Sequence, residues 1–256
     1  MKKLLYSFIF LLGLLTNNVS AQTKNAYKSG EWIQFRVHYG IINAGYASME
    51  VKEEKTNDKK IQHVIGKGWS TGMLNWVFPV EDRYESFIDP KTGYPIRAIR
   101  KVKEGKHTKN VELFFEKDSV LTVDHKNKEK ERVAAKDVQD MIAAFYYLRN
   151  NVSDSLKTAE SVGIDMFFDG KKFPFKLVKL GEETIKTKFG KIKCIKFRPL
   201  VQSGRVFKAK ESLTLWITAD KNKIPVRIQA DLAVGALKAD IEEYKGLSHP
   251  LNIIMD

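Results

Sequence analysis

From Glu31 to Tyr39 the chain alternates. Ile33, Phe35, Val37 and Tyr39 fall on one side, and Gln34, Arg36 and His38 on the other. A period of two marks a half-buried β-strand. The same pattern predicts strands over 44–53, 60–70, 80–89, 94–103, 108–116 and 119–124. After a break it predicts more, over 162–168, 173–180, 183–187, 192–200, 212–218, 226–233 and 237–244. Turn residues punctuate the series: Gly40 and Gly45, Asn57-Asp58, Pro90–Gly93, Gly105, Gly181 and Asp220–Lys223. The small residues Ala44, Gly45, Ala47 and Ser48 allow close approach by another backbone, a helix or a ligand. The charged run His125–Arg132 reads as a solvated turn or edge, and the last residues, 246–256, as a tail with an apolar patch at Leu251–Met255.

Between the two sets of strands the period changes. In DVQDMIAAFYYLR, residues 137–149, Val138, Met141, Ile142, Phe145 and Leu148 recur at helical spacing. Asp137 is the expected N-cap, and Asp140 adds negative charge to the first turn. Arg149 suits the last turn, and Asn150-Asn151 the stop. A solitary amphipathic helix among strands must bury its face on them. The expected fold is therefore mainly β: a large antiparallel curved sheet, half-barrel or barrel, with one amphipathic helix packed on it.

The first residues change the domain picture. Lys2-Lys3, the apolar run Leu4–Leu15 and the small residues Val19-Ser20-Ala21 have the layout of a signal peptide, residues 1–21, cut after Ala21. The run is short for a membrane span. No cysteine follows the cut, which argues against a lipoprotein. The remaining 22–256 read as a single β-rich domain with a seam at 150–161, exported to the periplasm or beyond and without a transmembrane segment.

Charge narrows the partners. The chain carries +13, or +11 once Lys2 and Lys3 are gone. That balance favours a lipid, an anionic glycan or glycolipid, or a membrane surface. Export argues against nucleic acid. The single cysteine, Cys194, rules out an intramolecular disulfide and reads as a small core residue.

Catalytic patterns are missing. There is no Gly-x-Ser-x-Gly elbow, and His38, His63, His107, His125 and His249 are scattered. Metal-ligand spacing, a phosphate loop and a dinucleotide fingerprint are absent, so no cofactor or metal is expected. Glu81, Asp82 and Glu85 are the nearest thing to an acid–base set, and an ion-paired strand looks the same. The segment TGMLNWVFP, residues 71–79, breaks the alternation with a dense apolar run. It reads as core cover, or as a ligand lip or partner site.

Aromatic residues carry the remaining signal. A curved sheet lined by them can hold a hydrophobic chain. Trp76, Phe78, Phe145, Tyr146 and Trp216 are the expected apolar wall. Arg97, Arg100, Arg198 and Arg227 are the expected contacts for an anionic head group.

The stretches WIQFRVHYGIINAGYASMEV, FPVEDRYESFID, GYPIRAIRKVKEG, DVQDMIAAFYYLR, FGKIKCIKFRP and LTLWITADKNKIPVRIQADLAVGALKADIEEY, in that order, resemble bacterial domain-of-unknown-function family 3108. The resemblance implies an exported, β-rich protein and carries over no catalytic residue. Three functions follow as expectations. First comes non-enzymatic binding of a hydrophobic or amphiphilic anionic ligand. Second is an assembly module for another envelope protein, and third a glycan-active hydrolase using Glu81 or Glu85.

Overall fold

The structure, a computed structural model, describes residues 25–56, 59–200 and 213–254. Its strands are β1 (Trp32–Tyr39), β2 (Ile42–Thr56), β3 (Lys59–Ser70), β4 (Glu81–Ile88), β5 (Pro95–Glu104), β6 (His107–Phe115), β7 (Ser119–Asp124) and β8 (Glu129–Ala134). They continue as β9 (Ser161–Phe168), β10 (Lys171–Thr187), β11 (Gly190–Leu200), β12 (Leu213–Thr218), β13 (Pro225–Asp231), β14 (Ala236–Lys245) and β15 (Ile253–Ile254). Helix α1 covers Gly72–Val77 and helix α2 covers Met141–Asn151.

All fifteen strands form one antiparallel sheet. The chain starts in the middle with β1 and winds hairpin by hairpin to β8 at one edge. It then crosses through α2 to β9 at the other edge and winds back until β14 lies beside β1. The two edges come together without a ladder: a single parallel bridge, Gln139–Met166, joins the segment after β8 to β9. Its two backbone bonds are Gln139 N to Asp165 O and Phe167 N to Gln139 O, each 2.9 Å. The sheet is large and antiparallel, and it is not closed.

Helix α2 lies across this wall, against β3, β4 and β9. It starts at Met141, because Asp140 rather than Asp137 is its N-cap. Asp140 has the extended backbone a cap needs, and its carboxylate accepts from the amides of Ile142 (2.8 Å) and Ala143 (3.0 Å). Asp137 has φ 52°, outside the capping conformation. The expected apolar stripe is wider than the spacing suggests. Ile142, Ala143, Ala144, Tyr146, Leu148 and Arg149 are all buried, so protein surrounds the helix on most sides. Gly66 of β3 makes room for it: a Cβ there would sit 3.1 Å from Ile142 Cδ1. Gly45 fits the expected close approach, since a Cβ would lie 2.1 Å from the Trp69 carbonyl oxygen.

Three other segments differ from expectation. Residues 71–79 contain the short helix α1, with no buried residue. Within 125–132, Glu129 begins the edge strand β8. Residues 173–180 and 183–187 are one strand, β10, because Gly181 marks a register shift against β11 and not a turn. The tail pairs β15 with β11, and Leu251 and Ile253 pack on a core formed by Ile33, Phe35, Ile192, Trp216 and Ile241. Asn57-Asp58 and residues 1–21 lie outside the described residues. No helix among the described residues is long and apolar enough to cross a membrane.

Candidate functional site

Strand alternation assigns each side chain to one face of the wall. In β10, β11 and β12 the odd-numbered residues Phe175, Leu177, Phe197, Leu215 and Ile217 turn toward Leu148 and Val152 on the helix side. They do not fill the space. A cavity of about 670 Å³ remains between α2 and β9–β12, lined by Phe145, Leu148, Met166, Phe168, Phe173, Phe175, Leu215 and Ile217 among others. This volume lies in the usual range for small-ligand sites. Its exposed lining residues, Met141, Asp169, Lys171 and Lys172, mark the mouth. Lys172 pairs with Asp165 at 2.8 Å, whereas Lys171 makes no ion pair among the described residues.

A second cavity of about 300 Å³ lies on the other side of α2, toward β4–β7. Its lining is mixed: Arg100, Lys109, Thr122, Asp124, Glu131, Asp140 and Asp169 share it with Ile99, Val111, Leu113, Ile142 and Phe168 among others. Met141, Phe168 and Asp169 border both cavities and form the partition between them. Asp169 is the centre of an ion cluster, taking Arg100 Nη1 at 2.8 Å and Lys109 Nζ at 2.7 Å on one oxygen. Burial alone would raise its pKa, but the Lys109 and Arg100 cations outweigh that and hold it below the ordinary value. The Arg100 guanidinium also lies 4.4 Å over the Phe168 ring.

The expected ligand contacts divide. Phe145 lines the large cavity and Arg100 the small one. Trp216 points away, because it lies between Leu215 and Ile217 on the strand; its indole N–H donates to Glu183 at 2.9 Å. The same parity turns Arg198 away from Phe197 and Pro199. Arg227, paired with Trp216 across the ladder, instead binds Asp240 at 2.5 Å. Arg97, an odd number of residues from Arg100, faces out, bonds Glu112 and lies over Phe87. Tyr146 is fully buried against Tyr27 on the opposite side of α2. Trp76 and Phe78 are on or just after α1, exposed and remote from both cavities.

Arg149, expected as a charge for the helix end, is a buried tie. Its guanidinium bonds both oxygens of Glu31, at 2.5 and 2.8 Å, and the carbonyls of Ala26 and Asn222, each at 3.0 Å. Burial opposes its charge, but Glu31 outweighs burial and raises its pKa. Arg149 lines the cavity with all three of its nitrogens hydrogen-bonded. Asp140, also fully buried, accepts from Ser86 Oγ at 2.6 Å, and burial pushes its pKa up to about 6.

The outer face holds a chain of charges that sequence reading did not join. His63 lies between Glu54 (2.6 Å) and Glu85 (2.7 Å), stacked on Phe87. Glu85 also takes Arg83 at 2.6 Å. Burial would raise its pKa, but Arg83 and His63 outweigh burial and lower it, which suits an anion and not a proton donor. Glu81 is exposed and pairs with Lys103 at 3.5 Å, so Glu81 and Glu85 do not form one site. Cys194 is buried, its thiol pushed up to about 12 by burial. Among the described residues no group of three or more His, Cys, Asp or Glu is placed to hold a metal.

The family described as protein of unknown function, DUF3108, matches residues 34–242. No curated protein sequence matches. Among solved structures, a β-barrel-like protein of domain of unknown function DUF1849 from Brucella abortus is similar in fold. It has TM-score 0.57 and 8% identity, covering 86% of this chain and 98% of its own. A structure from Parabacteroides distasonis described as a "putative lipoprotein" aligns over 87% of this chain and 98% of its own, with TM-score 0.33 and 12% identity.

Proposed function

We infer that this chain, which belongs to the DUF3108 family of proteins of unknown function, is an exported envelope protein that binds a hydrophobic or amphiphilic anionic ligand without transforming it. One observation carries the reading: the cavity of about 670 Å³ between α2 and β9–β12, with an apolar wall and two lysines at its mouth. Apolar walls bind mainly by removing the ligand's surface from water, at about 25 cal/mol per Å². A tail would lie along Phe145, Phe175 and Leu215. Its anionic head would meet Lys171, which has no acidic partner among the described residues, and Lys172. The barrel-like curvature of the wall fits such a role, as do the absence of a catalytic pattern and the net charge.

Native mass spectrometry of the mature chain, residues 22–256, tests this. The expected result is a lipid or other amphiphile of defined mass, co-purified or taken up from an envelope extract. Leu215→Asp, which puts a charge into the wall, should weaken uptake at least tenfold, about 1.4 kcal/mol. An empty wild-type protein after exposure to extract overturns the reading. An assembly role would show instead as a stoichiometric protein partner on an unliganded chain.

A further inference from the structure

Antiparallel winding puts the β1–β2, β3–β4, β5–β6, β7–β8, β9–β10 and β13–β14 connections at the same end of the sheet. Three of these belong to strands adjacent in the order β4-β3-β2-β1-β14-β13. Their tips are apolar and out in solvent: Ile41 is 98% exposed, Met73 85%, Trp76 89%, Val77 78% and Val234 77%. They are tied together. Thr71 N donates to Ala44 O at 3.1 Å, joining α1 to the start of β2, and Tyr39 Oη donates to Val234 O at 2.9 Å. The connections 40–41, 71–80 and 232–235 contain no charged residue. Neighbouring tips at this end carry Lys106, Lys126 and Lys128 on one flank and Lys171 on the other, none in an ion pair among the described residues.

We propose that this end of the sheet docks on the surface of an anionic lipid bilayer. Isolated exposed apolar residues are ordinary, but a cluster on three linked tips is not. The tips come from three linked connections that are uncharged at their ends and flanked by lysines, a pattern that matches the layered chemistry of a bilayer surface, apolar within and anionic at the phosphates. Tryptophan suits the headgroup boundary, where its ring is half in contact with chains and its N–H stays hydrated. Lysines beside an inserted apolar patch supply the attraction to anionic headgroups. The uncharged tips would enter, and the flanking lysines would stay at the phosphate level. The proposal stands on the rim alone and holds whether or not the cavity carries a ligand.

Cosedimentation of the mature chain with vesicles tests it. One set contains phosphatidylglycerol mixed with phosphatidylcholine, the other phosphatidylcholine alone. The expected result is binding to the first set, weak binding to the second, and loss on adding salt. Trp76→Asp combined with Met73→Asp should reduce binding at least tenfold with an unchanged melting temperature, since neither side chain is buried. Lys106→Glu with Lys128→Glu should reduce it less, and only for the anionic vesicles. Wild-type protein that sediments with neither set overturns the proposal. So does a double Asp variant that binds like wild type. A wild-type dimer that Trp76→Asp dissolves would assign the rim to a second copy of this chain, and would also overturn it.

Discussion

The two cavities on either side of α2 share a wall and differ in kind. Toward β9–β12 the space is about 670 Å³ and mostly apolar; toward β4–β7 it is about 300 Å³ and rimmed by Arg100, Lys109, Asp124, Glu131 and Asp169. The difference comes from how each half fills itself. In the first half, Tyr27, Val51, Val64 and Ile88 pack against Ile142, Ala143 and Tyr146 of the helix and leave a smaller space with many charged groups in its lining. In the second, Phe175, Leu177, Leu215 and Ile217 reach the helix only at its end, near Leu148 and Val152. One half uses the helix as core. The other uses it as a ceiling over an empty room.

The largest expected effect comes from the tie that fixes that ceiling. Glu31→Ala leaves the Arg149 charge buried without its carboxylate and should cost about 3–5 kcal/mol in urea unfolding. Replacing both partners with apolar residues of similar size, Glu31→Leu with Arg149→Met, should recover most of the loss. If Glu31→Ala costs less than about 1 kcal/mol, the helix end is not held as described.

Asp140 tests the opposite end, beside the small cavity. Its pKa is raised from 3.8 to about 6 by burial. An acid with a raised native pKa holds its proton more firmly when folded than unfolded, so its contribution to stability is full below about pH 4 and falls as pH rises through about 6. The total is on the order of 2–3 kcal/mol. Asp140→Asn keeps a capping oxygen and removes the titration, so its melting temperature relative to wild type should rise between pH 4 and pH 7.5. A gap independent of pH contradicts this. Asp140→Ala loses the cap itself and should cost about 1–2 kcal/mol.

The smallest effect on stability should come from the partition. Phe168 is half-buried beneath Arg100, so Phe168→Ala should cost roughly 1–2 kcal/mol, less than a fully buried ring. It should nevertheless join the two cavities and let the protein take up a longer apolar chain, read as the longest fatty acid retained in native mass spectrometry. An unchanged length limit would show that the division between the halves is set elsewhere.

Much of the frame was legible in the sequence. Many strands fall within a few residues of their place, because one face is buried and the alternation records it, as at Ile33 and Phe35 in β1; the exposed β8 carries no such record. The helix was legible for its change of period. Its cap was not, since Asp137 and Asp140 are equally good locally and only Ser86, 54 residues earlier, favours the second. The parity of β12 was also hidden: in LTLWIT both faces are apolar, so nothing local says that Leu215 faces the cavity and Trp216 a second core. Arg149 and Glu31 are 118 residues apart, and each had an adequate local explanation. Alternation shows that two faces exist, while deciding which one meets the cavity requires the contacts.

One consequence follows from the bridge at Gln139–Met166. Everywhere else along the wall neighbouring strands are joined rung after rung, and prising a pair apart sacrifices many rungs together. Between the two outer edges the described residues offer two, each with a net value of about 0.5–1.5 kcal/mol. Like a cask with one loose stave, the molecule has a preferred place to gape, and that place runs beside the room under the helix. A long chain could slip in sideways there without being threaded from the end.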